Sequence, residues 1–181
     1  MRIVDLGCGT GELTAILANK FAGSKVLGID SSAEMLAKAP AQENISFVQR
    51  AVEEQLMIDD QWDVIAANAS LQWVEDHPSL FPKIISKLRP GGQLAVQMPS
   101  QQENVLNQLL YKLVHESPYY EVLKNDIRHS PVLSLDEYTT LLYSNGASEV
   151  LVYQKVYPII AQSADTLYDF ISGSALVPYM E

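Results

Sequence analysis

The sequence predicts an α/β fold: a doubly wound, mostly parallel sheet with a helical insertion after its fifth strand. Three observations carry this. Short apolar runs alternate with helical patterns from Ile3 to Met98, the order expected of parallel strands joined by right-handed crossovers. Asp63–Asn68 encloses an unbroken apolar run, as in a strand covered on both faces. The first strand ends in Gly7-Cys8-Gly9-Thr10-Gly11, with glycine at every second position, and opens directly into a helical pattern.

The elements follow in order. Ile3–Leu6 is the first strand and Glu12–Phe21 the first helix, with Leu13, Ile16, Leu17 and Phe21 on one apolar face. Gly23 stops that helix. Val26–Asp30 is the second strand. Ser31 and Glu34 form a capping box for a helix that runs through Ala39 and ends at Pro40. Ile45–Val48 is the third strand and Asp63–Asn68 the fourth. A helix from about Ser79 to Leu88 turns Leu80, Ile84, Ile85 and Leu88 inward. Pro90-Gly91-Gly92 is a turn before the fifth strand, Gln93–Met98. The alternation then gives way to helices. Asn104–Glu116 is a long one with Val105, Leu109, Leu110, Leu113 and Val114 apolar; Ser117-Pro118-Tyr119-Tyr120 breaks it, and a shorter stretch runs to about Asp126. Ser134 and Glu137 make a second capping box for a helix to Tyr143, with Gly146 as its stop. Glu149–Pro158, rich in Val and Tyr, reads as a long strand, and Ser163 caps a last helix, Ala164–Ile171.

Composition narrows the function. The chain has 181 residues, 48% of them hydrophobic and 19% charged, with a formal net charge of −10. Phosphate backbones are bound by clustered Lys and Arg, and no basic run is present, which argues against nucleic acid as a partner. No apolar stretch approaches the length of a membrane span, and no signal peptide is expected. The single cysteine, Cys8, excludes an internal disulfide and suits a reducing compartment, so the cytoplasm is expected. A small residue in a tight turn is the simplest role for Cys8. No metal-ligand spacing is seen, and the oligomeric state is left open. The abrupt first strand and the mid-domain character of the last residues lead us to expect further chain on both sides.

The glycine turn carries the chemistry. A glycine-rich turn feeding a helix N-terminus presents free N–H donors and a partial positive charge to a carboxylate or phosphate. The dinucleotide fingerprint requires a third glycine where Glu12 stands, which disfavours a nicotinamide dehydrogenase. Asp30 ends the second strand nineteen residues past Gly11, where a carboxylate closes on ribose hydroxyls. Capping of the second helix is the competing role for Asp30, although Ser31 serves that purpose better.

Gly7-Cys8-Gly9-Thr10-Gly11 together with Val26-Leu27-Gly28-Ile29-Asp30 resembles the cofactor motifs of class I S-adenosylmethionine (SAM) methyltransferases, which have a Rossmann-like fold. Three further segments are similar to trans-aconitate 2-methyltransferases: Asp63–Pro78 with its Leu71-Gln72-Trp73, Leu88–Pro99, and Phe170–Tyr179. The resemblance spans nearly the whole chain. It implies a single methyltransferase domain over 1–181, without the family's N-terminal helices and C-terminal strands. Within it, 100–147 is a helical cap region and 148–181 a strand plus a helix. It also implies a SAM-dependent transfer to a small acidic molecule. Gly7, Gly9 and Gly11 would let the methionine moiety approach the backbone, beside Cys8. Asp5 would order the turn by accepting backbone N–H bonds. Asp30, with Ser31, would take the ribose, and Asn68 and Ala69 would line the sulfonium through their carbonyls. Two positions depart from the pattern. Ala51 stands where many class I enzymes place an acid against adenine, leaving backbone groups near Ala51 and Val52, or Glu53. Val177 stands where the family has arginine.

The acceptor is expected over Asn68–His77. Gln72 would donate to a carboxylate, Trp73 would offer an aromatic face to the sulfonium or the substrate, and His77 would complete the catalytic group. Core packing for Trp73 and a first-turn structural hydrogen bond for His77 are the competing roles. Arg128 and His129 would bring positive charge, against surface solvation as the alternative. A carboxylate acceptor is already ionised at neutral pH, with a reference pKa of about 4. It needs no general base, and the sequence offers no base-and-orienter pair. Two other readings stay open: a malonyl-thioester carboxyl methyltransferase of biotin synthesis, which shares an L-Q-W segment, and a non-catalytic SAM-binding module or inactive fragment.

Overall fold

The computed structural model describes residues 1–100, 103–125, 127, 129–158 and 160–172. Arg128, Val177 and the segment 173–179 lie outside them. Two compact units are formed, Met1–Pro99 with Pro131–Val152, and Ser100–Ser130 with Tyr153–Glu181. The first begins β1 (Arg2–Leu6), α1 (Glu12–Lys20), β2 (Lys25–Asp30), α2 (Ala33–Leu36), β3 (Ile45–Gln49), α3 (Val52–Met57) and β4 (Trp62–Asn68). A one-turn 3₁₀ segment, Leu71–Trp73, leads to α4 (His77–Ser86) and β5 (Leu88–Gln97). Then come α5 (Val105–Val114) and α6 (Tyr119–Leu123) of the second unit, α7 (Leu135–Ser144) of the first, and α8 (Ala164–Ser172) of the second.

All five strands are parallel, in the order β3-β2-β1-β4-β5. The chain winds outward from β1 to β3, then crosses back to place β4 on the other side of β1. The strand order therefore reverses between β1 and β4, and the carboxyl ends there form the crevice where such sheets bind ligands. Successive residues of β1 serve opposite faces. Ile3 packs with Ala18 and Val26, while Val4 and Leu6 join the larger cluster around Ile29, Ile65, Leu71, Phe81 and Ile84.

Several elements depart from the sequence expectation. In α1 the buried residues are Thr14 and Ala18, with Leu17 and Phe21 packed beside them. Leu13 and Ile16 are exposed, Ile16 by 59%. The helix is rotated because Thr14 must face inward to meet the buried Asp5 carboxylate, as shown below. The cap of α2 is Ser32, whose Oγ accepts from Met35 N–H, not Ser31. Glu34 pairs instead with Lys38. Helix α3 has no counterpart in the sequence reading. It is only six residues long, and Glu54 fixes its start by accepting from Ala51 N–H at 3.1 Å.

Helix α4 begins two residues earlier than expected, capped by Asp76, with Pro78 in its first turn. Pro90-Gly91-Gly92 is an irregularity within β5 rather than a turn before it: Trp62 pairs with Leu88, and the register resumes at Val64 and Gln93. A Cβ on Gly92 would lie 2.9 Å from Arg89 O and 3.1 Å from Trp62 O. The expected strand Glu149–Pro158 is not a strand. Val and Tyr propensity alone does not order a strand; it needs a partner ladder, and among the described residues none pairs with it. Both later caps hold, Ser134 with Glu137 on α7 and Ser163 accepting from Thr166 N–H on α8. Among the described residues no helix is long and apolar enough to cross a membrane.

Candidate cofactor cleft

The carboxyl ends of β1 to β4 open on a cleft of about 880 Å³. Its wall is formed by Gly7–Thr10, by Glu12, Leu13 and Ile16 of α1, and by Asp30–Ser32 with Met35. Arg50–Glu53 after β3 and Asn68–Ser70 with Trp73 and Val74 after β4 complete it. Of the expected site residues, Gly7, Cys8, Gly9, Asp30, Ser31, Ala51, Val52, Asn68, Ala69 and Trp73 are on this wall. Asp5, Gly11, Gln72 and His77 are not.

The glycine turn and Asp30 clasp each other. Gly9 N–H donates to Asp30 Oδ2 at 2.8 Å, and Ser32 N–H donates to Oδ1 at 2.8 Å. Cys8 N–H adds a bond to Ile29 O at 2.8 Å. One carboxylate thus orders both the turn and the start of α2, and its remaining lone pairs are available to hydroxyl donors. The reason for glycine is not the expected one at two positions. At Gly7, with φ +71°, a Cβ would fall 2.3 Å from Ser70 Cβ; at Gly11 it would fall 2.5 Å from Phe47 Cζ. These glycines make room for protein side chains. Only at Gly9, of the three, does a Cβ meet nothing within 4 Å.

Asp5 does not order the turn through backbone N–H bonds. It is buried and accepts from Thr14 Oγ1 at 2.6 Å. Burial pushes its pKa up, opposed by the Thr14 hydrogen bond and assisted by the Asp30 charge. A folded pKa above the unfolded one contributes stability fully below the unfolded value, and that contribution is lost as pH rises through the folded value. Asp5→Asn keeps an acceptor for Thr14 and carries no charge. Its melting temperature is therefore expected to gain on the native chain as pH is raised from below the ordinary carboxylate range to neutrality. Parallel thermal melts across pH check this; curves that keep a constant separation contradict it.

The Cys8 thiol is pushed up to about 12, first by burial and then by the charges of Asp5 and Asp30. The thiolate is the reactive form, so Cys8 is no nucleophile at neutral pH. Alkylation by iodoacetamide at pH 8 is expected to run on the order of a thousandfold slower than for an ordinary thiol. Intact-mass spectrometry over time measures it.

The loop after β4 is held by its own network. Ala69 has φ +51°, uncommon for a residue with a Cβ. Its N–H donates to Gln97 O, and its carbonyl accepts from Gln72 Nε2 at 2.7 Å. Gln72 is therefore a clamp on the loop: it is 8% exposed, off the cleft wall, and its Oε1 has no partner among the described residues. Ser70 Oγ donates to Leu6 O at 2.6 Å, locking this loop onto β1. Trp73 is 54% exposed at the cleft, so the core-packing role does not apply. His77 takes the structural role. It is fully buried, with Nδ1 against the Tyr138 hydroxyl and Nε2 2.9 Å from Leu71 O, so it cannot reach an acceptor. His129 lies in the second unit beside Tyr111, its Nδ1 3.5 Å from the hydroxyl.

The sequence reading missed Ser70, Ser32 and the cleft role of Leu13 and Ile16. It also missed Arg50, whose Nη1 donates to Gln55 Oε1 at 2.6 Å on the wall after β3. Only Arg50 had a local signal, as a cation at the carboxyl end of a strand.

A family described as a methyltransferase domain matches residues 1–159. A protein of Deinococcus radiodurans named trans-aconitate 2-methyltransferase is 42% identical over 99% of this chain and 70% of its own length. One of the same name from Variovorax paradoxus is 36% identical over the same shares. In fold the chain is similar to the plantazolicin methyltransferase BpumL (TM-score 0.59, 19% identity, 82% of this chain and 57% of that one). It is similar too to phosphoethanolamine N-methyltransferase 2 of Haemonchus contortus (TM-score 0.58, 20% identity, 81% and 33%). The chain thus spans less than two thirds of those solved structures.

The parallel sheet, the glycine turn and the acid ending β2 define a class I methyltransferase that uses SAM. The chain belongs to the trans-aconitate 2-methyltransferase family. The cleft fits that cofactor on its own terms. Its volume is of the size that holds ligands of this kind. Its acid carries free lone pairs at the mouth, and the nine-residue α1 presents an N-terminus with no side-chain cap beside Thr10, which suits a carboxylate.

Proposed function

We propose that this chain methylates a carboxylate of trans-aconitate, or of a closely similar small acid, in the cytoplasm, giving a methyl ester. The Gly9–Asp30 clasp at the same cleft as the Trp73 indole is the observation that carries this reading. The names of its relatives supply the acceptor. Both units are read as one methyltransferase domain.

When bound, SAM supplies an activated methyl group on a sulfonium, which an acceptor oxygen takes in one displacement that frees no proton. The chain's own work is alignment and exclusion of water. Asp30 would accept from the ribose hydroxyls, and backbone groups near Ala51 and Val52 would hold the adenine. The α1 N-terminus would hold the methionine carboxylate, and Asn68, Ala69 and Trp73 would line the sulfonium side. No general base is required, in keeping with the un-ionised Cys8 and the sequestered His77. A net charge of −10 opposes an anionic acceptor, but screening confines this to about 8 Å. Arg50 supplies a cation on the cleft wall.

The test is incubation of the purified protein with SAM and trans-aconitate, with mass spectrometry for a monomethyl ester and calorimetry for SAM binding. Ester formation is expected, with a malonyl thioester giving little product. The reverse preference moves the chain to the biotin-pathway reading, binding without turnover makes it a non-catalytic module, and no binding overturns the site.

A further inference from the structure

The 3₁₀ turn Leu71–Trp73 is three residues long and held internally by two bonds, Trp73 N–H to Ser70 O and Val74 N–H to Leu71 O. So short a turn has little stability of its own, yet it carries the exposed indole at the cleft. What orients it comes from α4 and α7. Leu133 N–H donates to the Tyr138 hydroxyl oxygen at 3.2 Å. The other contact of the His77 ring sets the direction: Leu71 O can only accept, so the single imidazole hydrogen is on Nε2, and Nδ1 accepts from the Tyr138 hydroxyl. The Nε2–H···O=C bond to Leu71 measures 2.9 Å. The rings of Tyr138 and His77 are both packed on Phe81, at 5.0 and 5.5 Å, so the relay has little freedom to swing.

We propose that Tyr138 is a positioning residue for methyl transfer: through His77 and Leu71 it sets the turn that presents Trp73 to the cleft. This rests on the reading of that cleft as the methyl-transfer site. Tyr138 lies 61 residues from His77 in sequence and is not on the cleft wall. It acts on neither donor nor acceptor directly, and the Gly9–Asp30 clasp does not involve it. Its loss should separate the two ligands, raising the acceptor KM and lowering kcat while SAM affinity is kept.

Tyr138→Phe removes the hydroxyl and keeps the ring on Phe81. With 5-fluorotryptophan incorporated, the protein's two tryptophans give two fluorine resonances, from the buried Trp62 and from Trp73. In Tyr138→Phe the Trp73 resonance is expected to shift or broaden while that of Trp62 holds. The acceptor KM should rise about tenfold, with SAM affinity by calorimetry within about twofold. A folded Tyr138→Phe with an unmoved Trp73 resonance and native acceptor KM overturns the proposal, however much its melting temperature falls. If that variant does not fold, His77→Gln and His77→Asn decide. Glutamine reaches toward Leu71 O as Nε2 does and is expected to keep the Trp73 resonance native, whereas the shorter asparagine is not; equal behaviour overturns the relay. A native protein that fails to bind SAM speaks against the cleft reading, whereas one that binds and turns over beside an unaffected Tyr138→Phe removes only the positioning role.

Discussion

Gly7→Ala is expected to abolish SAM binding and to destabilise the first unit by roughly 2–5 kcal/mol. The left-handed conformation at φ +71° costs an L-residue about 1–2 kcal/mol. A Cβ placed 2.3 Å from Ser70 Cβ cannot be accommodated by a rotamer change, because the contact is made at the root of the side chain. Ser70 must move, and its 2.6 Å bond to Leu6 O goes with it; overpacking of this sort adds about 1–3 kcal/mol. The loop after β4 and the glycine turn would then separate, and with them the two walls of the cleft. Gly9→Ala is the control. It suffers the same backbone strain at φ +56° but meets no neighbour within 4 Å, so its stability loss should stay near about 1–2 kcal/mol. Denaturant titration and calorimetry measure both; equal losses for the two variants would sink the Ser70 argument.

Asp30→Asn is expected to weaken SAM binding by about a hundredfold or more. Both carboxylate oxygens accept from backbone N–H groups at 2.8 Å, one on the glycine turn and one at the start of α2. Charge-assisted hydrogen bonds are worth about 1.5–3 kcal/mol each. An asparagine offers one acceptor and one amide nitrogen, so either Gly9 or Ser32 is left with a donor facing a donor. The ribose hydroxyls lose an anionic acceptor in the same step. Isothermal calorimetry reads the affinity directly, and a variant that binds within tenfold of native would show that Asp30 only braces the turn.

The succession of strands and helices up to β5 was legible because it rests on local signals. Strand, glycine turn, helix and a second strand ending in an acid occur within thirty residues, and the walls of the cleft inherit that order. Helix caps at Ser134 and Ser163 were legible for the same reason: a cap is satisfied three residues away. Failures arise where packing, and not the local pattern, chooses the partner. The inward face of α1 depends on Asp5, and the fate of His77 depends on Tyr138. The Val- and Tyr-rich stretch after Glu149 had strand propensity but no ladder to join.

The sequence by itself determined the winding of the sheet and placed Asp30 at the same strand ends as the glycine turn, since period, spacing and turn chemistry are local, and its motifs resembled those of SAM enzymes. Only the tertiary structure decided which polar groups stay free for ligands. It committed Gln72 to Ala69, sealed His77 in the core and left Trp73 at the cleft. Buried donors and acceptors are as a rule paired, and packing decides with which group, as where Tyr138 meets His77 across 61 residues, which no short-range pattern records.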